Sequence, residues 1–81
     1  MKYDHYGELL RRTRTGDLRK AEIRSDWPGF APALVLTFNG GVQKAVRHTS
    51  WLPFLKEHYV RNALGPDMTD WAMRLAMNAR R

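Results

Sequence analysis

Three histidines, His5, His48 and His58, and eight Asp and Glu residues are the groups from which this 81-residue chain would have to build an acid, a base or a metal site. Asp4-His5 and Glu57-His58 are sequence neighbours. On a helix, neighbours point about 100° apart, so neither pair forms a ready acid/base couple. His48 and His58 can meet across a strand-to-helix junction, but no HxH, HxxxH or carboxylate spacing completes a metal shell around them. Asn39-Gly40-Gly41 is followed by a strand pattern and not by the helix N-terminus that a phosphate-binding loop uses, so it reads as a hairpin turn. With no cysteine, thiolate nucleophiles, disulfides and Cys-based zinc sites are excluded. The expectation is a chain that is not an enzyme and has no catalytic residue, metal ligand or cofactor.

Residues suited to binding are better represented. Arg11, Arg12, Arg14, Arg19 and Lys20 fall within ten positions, where they can converge on one positive ridge for phosphates or an acidic face. Near the C-terminus Arg74, Asn78 and Arg81 recur at i, i+4 and i+7 and share one helix face, and Arg and Asn are the side chains that read guanine and adenine edges. Trp71, Met73 and Met77, with Met68 and Leu75, spread apolar surface around more of that helix than one core contact needs. Such a surplus suits an adaptable protein interface, with a partner or with a second copy of the chain.

The elements that must position these residues follow from periodicity. A first helix is expected from His5 to Thr15, capped by Asp4, with Glu8 in its first turn and Gly16 as its left-handed stop. Tyr3, Tyr6, Leu10 and Thr13 would form its inner stripe; a hairpin turning at Thr15-Gly16-Asp17 is the competing local reading. Leu18 to Ser25 alternates, with Ala21 and Ile23 on one side and Lys20, Glu22 and Arg24 on the other, as a strand with one wet face does. Trp27 and Phe30 then pin a Pro-rich connection to the fold. Ala33 to Phe38 is the central strand, with Leu34, Leu36 and Phe38 inward and Val35 partly covered. The hairpin at Asn39-Gly40-Gly41 sets Phe38 opposite Val42 and Leu34 opposite Val46. Thr49-Ser50 caps a helix whose apolar face is Trp51, Leu52, Leu55, Tyr59 and Ala63, and Gly65-Pro66 ends it. Thr69 caps a last helix, and the long connection Leu64-Gly65-Pro66-Asp67-Met68 weakens a helix-turn-helix reading. The fold class is therefore α+β: one domain over residues 1–81, with a small antiparallel three-stranded sheet and helices packed on one face, in the order α-β-β-β-α-α.

Whole-chain composition points the same way. Fourteen Lys and Arg against eight Asp and Glu give a net charge of +6, spread along the chain without a basic tail, which favours an anionic partner. The longest uncharged stretch, Trp27 to Gln43, is interrupted by Pro and Gly and is shorter than the ~20 apolar residues of a spanning helix, so no membrane contact is expected. Met1-Lys2-Tyr3-Asp4-His5-Tyr6-Gly7 lacks the apolar stretch of a secretory signal, so the expected compartment is the cytoplasm. In size, absence of cysteine and αβββαα organisation the chain resembles the small accessory proteins of phages and mobile elements, including anti-CRISPR inhibitors. That resemblance implies a stoichiometric, non-catalytic protein that docks on a nucleic-acid-handling protein or nucleoprotein complex and blocks or modulates it, and it carries over no site residue. Arg11, Arg12, Arg14, Arg19, Lys20, Trp71, Met73, Arg74, Met77, Asn78 and Arg81 are the expected contact residues. The alternative is a small basic DNA- or RNA-binding regulator, in which the ridge meets phosphates and the last helix reaches bases. A homodimer is compatible with either.

Overall fold

The computed structural model describes residues 6–79. Helix α1 spans Gly7–Arg12, strands β1, β2 and β3 span Leu18–Arg24, Ala33–Phe38 and Gln43–Arg47, and helices α2, α3 and α4 span Trp51–Leu55, His58–Leu64 and Pro66–Ala79. The sheet is antiparallel in the order β1-β2-β3, and one face carries the core. The order α-β-β-β-α-α-α thus keeps the expected class and adds one helix.

The alternating strand pattern settles the sheet. Leu34 pairs with Ile23 on one side and Val46 on the other, Leu36 pairs with Ala21, and Leu18 pairs with Phe38, so these apolar positions share a face. They meet Trp51, Phe54 and Leu55 of α2, Val60 of α3 and Ala72 and Ala76 of α4 in one core, against which Tyr6, just before α1, and Leu9 and Leu10 of α1 pack. Phe38 N–H donates to the Val42 carbonyl at 2.8 Å, closing the hairpin in the expected register, and Gly40 and Gly41 supply its positive φ values of 84° and 82°.

Helix α1 is shorter than the run from His5 to Thr15. The expected cap Asp4 and the stripe residue Tyr3 lie outside the described residues. Its C-terminus is closed by threonines: the Thr13 hydroxyl donates to the Leu10 carbonyl at 2.6 Å and the Thr15 hydroxyl to the Arg12 carbonyl at 2.8 Å, before Gly16 turns at φ 84°. The same β-branched residues that favoured a hairpin reading act here as helix stops.

Four expectations need correction. The helix expected from Trp51 through Ala63 is broken between α2 and α3 at Glu57, whose backbone is extended (φ −81°, ψ 135°). In a continuous helix Val60 would point roughly 140–180° away from Trp51 and Leu55. The break lets all three face the core, and it leaves Tyr59 and Ala63 exposed instead of buried. Thr69 is not an N-cap: α4 starts at Pro66, immediately after Gly65, and Thr69 is buried in its first turns with its amide bonded to the Gly65 carbonyl at 2.9 Å. A proline at the first helical position loses no hydrogen bond, and Gly65 adopts φ 89°, ψ 160°, a region essentially open to glycine alone. A single residue therefore separates α3 from α4, shorter and not longer than a helix-turn-helix connection. Finally, Val35 is fully buried although it lies on the face opposite the core. On that face Arg24, Ala33 and Arg47 form a row across the sheet, and the connection between β1 and β2 folds over it, with Arg24 above Trp27 and Arg47 above Phe30.

Candidate functional site

The ridge arginines are held by different parts of the fold. Arg12 is half-buried, its guanidinium 4.4 Å from the centroid of the Phe38 ring, and its Nε–H donates to Asp17 Oδ2 at 2.7 Å. It clamps the end of α1 to the start of β1 and the end of β2. Arg14 reaches the α2–α3 break, where its Nη2 and Nε lie 2.9 and 3.0 Å from Glu57 Oε2; this hydrogen bond, with the added charge attraction, raises the Arg14 pKa. Lys20 stands across from Thr37 on the sheet face away from the core, 3.8 Å from Glu22. Arg19 is exposed, at the irregularity between Leu18 and Lys20 in the pairing of β1 with β2, with Nη1 3.3 Å from Asn39 Oδ1. Arg11 is exposed and has no ion pair among the described residues. The group thus divides: Arg12 and Arg14 tie elements together, Lys20 lies on the sheet face away from the core, and Arg11 and Arg19 carry charge to solvent.

Helix α4 presents the other candidates. Thr69, Ala72 and Ala76 form its buried strip. Met68 and Trp71 lie on one flank and Met73 and Met77 on the other, with Trp71 and Met77 about 120° apart around the axis. Trp71 is 48% exposed and Met77 59%, whereas Met73 packs partly against the core. Arg74 and Asn78 are exposed between the flanks, and Arg74 Nη2 bonds Asp70 Oδ2 one turn earlier at 3.0 Å. Arg81 lies outside the described residues, so the i, i+7 end of the proposed base-reading stripe is not placed.

Each flank opens on a depression. Met68 and Trp71 join Ile23 of β1, Ser25 just after that strand and Pro32 to line a cleft of about 400 Å³. Met73 and Met77 join Arg61, Asn62, Asp67, Asp70 and Arg74 in a groove of about 720 Å³ between α3 and α4. Sequence reading spread the methionines and Trp71 around more than one side of this helix; the structure resolves them into two flanks, because the charged residues Asp67, Asp70 and Arg74 occupy the sector between. It also missed Ile23 and Pro32 as neighbours of Trp71, a juxtaposition made by the sheet and not signalled by spacing. The charged side of the groove was not read from the sequence, although Asp67, Asp70 and Arg74 follow i, i+3 and i+7 and so signal a shared helix face.

Of the three histidines, His5 lies outside the described residues, and His48 and His58 have structural partners. His48 meets Trp51 edge-on with centroids 6.2 Å apart, and His58 Nε2 lies 3.0 Å from Asn62 Nδ2. Glu57, adjacent to His58, is engaged by Arg14. Among the described residues no cluster of three or more His, Asp or Glu side chains is placed to hold a metal, and no helix is long and apolar enough to cross a membrane.

Ion pairing sets the electrostatics. Asp17, Glu22, Asp26, Glu57 and Asp70 are each held by a cation, the closest to bidentate being Arg24 on Asp26 at 3.0 and 3.1 Å. Those hydrogen bonds, and after them the Arg24 charge, lower the Asp26 pKa. Arg11, Arg19, Lys44, Arg47, Lys56 and Arg61 remain without a carboxylate partner among the described residues, against Glu8 and Asp67. The outward field is cationic. Comparison of the chain with protein-family models, curated proteins and solved structures returns no match.

Proposed function

We propose that the chain is a non-catalytic, stoichiometric binding protein that docks on a nucleic-acid-handling protein or nucleoprotein complex and blocks or modulates it, as anti-CRISPR inhibitors do. The observation that carries this reading is the exposed Trp71 beside Met68, Ile23 and Pro32. A half-exposed indole over an apolar cleft buries a large area in a partner at little entropic cost, and such residues dominate protein interfaces. The cations left unpaired elsewhere on the surface steer the chain toward an anionic complex.

A second reading, direct contact with DNA or RNA, is favoured by those same cations and by exposed Arg74 and Asn78 on α4. Against it, Arg12, Arg14 and Lys20 already engage carboxylates and Arg74 engages Asp70.

The two are separated by capture from host lysate on immobilised wild-type and Trp71→Ala chains, with and without nuclease. Docking on a protein surface predicts a stoichiometric partner that survives nuclease and is reduced about 30-fold in affinity by Trp71→Ala, equivalent to about 2 kcal/mol. Capture that disappears with nuclease and ignores Trp71→Ala establishes the second reading in its place.

A further inference from the structure

We propose that the groove between α3 and α4 is the surface on which a second copy of this chain docks, with the two α4 helices antiparallel. Three observations carry this. The first is charge balance. On a molecule with a net charge of +6, most surfaces of two copies repel, but this groove is walled by Arg61 and Arg74 against Asp67 and Asp70.

The second is the order of those charges. Asp67 and Asp70 occupy the first half of α4 and Arg74 the second half. A two-fold axis crossing α4 at residue 72 places Asp70 of each copy against Arg74 of the other, while a parallel pairing would set like charge on like. The surface is therefore self-complementary in one orientation, as an isologous interface requires. Asp70 already accepts a bond from Arg74 of its own helix at 3.0 Å, and a carboxylate retains lone pairs for a second guanidinium.

The third is apolar. Met77 is 59% exposed at one end of the groove and Pro66 lines the other. The axis at residue 72 brings Met77 of each copy over the Pro66 end of its mate, with Met73 between them. Exposed ion pairs add little energy, so burial of the methionines supplies the affinity and the charges fix the orientation. Trp71 lies on the opposite flank and stays open. The dimer would thus present two Trp71 clefts, and it stands independently of what binds them.

The experiment is sedimentation equilibrium on the isolated chain over the micromolar to millimolar range. Wild type is expected to rise from the mass of one chain to that of two. Asp70→Arg and Arg74→Asp, both at exposed positions, are each expected to weaken association about tenfold or more, because each sets like charges across the axis. Mixing the two variants restores opposite charges at both crossings, so the mixture is expected to dimerise where neither variant does alone. Trp71→Ala is expected to dimerise as wild type, which separates this interface from the partner surface. A single-chain mass for wild type throughout overturns the proposal. So do variants that associate as well as wild type, or a mixture no stronger than its components.

Discussion

Trp51 is fully buried, and its indole N–H donates to the Val46 carbonyl at 2.8 Å, so one side chain fills the core and ties α2 to the last strand. Trp51→Ala is expected to cost about 3–5 kcal/mol in chemical denaturation, a large part of the stability of so small a domain. Trp71 has the same chemistry and the opposite placement, and the sequence carries the difference: Trp51 belongs to the apolar face of its helix, whereas Trp71 is part of an apolar surplus larger than one core contact needs. Burial was legible where strand alternation gave it, as at Leu34, Leu36 and Phe38. It was not legible for Arg12, which the charge pattern assigned to a solvated ridge and the fold places on the Phe38 ring. A guanidinium is planar and weakly hydrated, so it can cover an aromatic face while still engaging Asp17. The Arg24–Asp26 pair adds a pH dependence. With its folded pKa lowered, Asp26 contributes stability that is present above the ordinary aspartate range and is lost as pH falls through the lowered value. NMR titration is expected to find the Asp26 carboxyl below that range in wild type and back within it in Arg24→Gln; no difference between the two would contradict the pairing.

At the scale of elements, the strands were read nearly residue by residue, because a period of two in a sheet with one core face leaves one register. The C-terminal helices were misread because a helical stripe was assumed to continue. Leu55, Tyr59 and Ala63 keep the spacing of one face, but the chain turns at Glu57 so that Val60 joins the core, and the reward for that turn is tertiary. The extended Glu57 is held there by Arg14, forty-three positions earlier, a contact that no local window contains. The break makes a prediction that one continuous helix would not. Val60→Ala is expected to destabilise by about 1.5–3 kcal/mol, and Ala63→Gln to change stability by less than about 0.5 kcal/mol, as measured by urea titration. A severe loss at Ala63 with tolerance at Val60 would restore the uninterrupted helix.

At the scale of the whole molecule, all helices that bury residues in the core sit on one side of the sheet, and α4 lies at the margin of that layer with both flanks open. That position gives one 14-residue helix two distinct surfaces: Trp71 toward the β1 edge and Met77 toward α3. In the proposed function, the cations left unpaired would attract an anionic complex from a distance, and the indole would provide the contact that remains once charge is screened. The measurement that tests this division most directly is the affinity of the nuclease-resistant partner in rising salt, for wild type and Trp71→Ala. The account predicts a shallow salt dependence for wild type and a loss of about 30-fold in the variant at every salt concentration. A fall of about a thousandfold between about 50 and 200 mM salt, with no effect of the substitution, would contradict it and identify phosphate contacts as the source of binding.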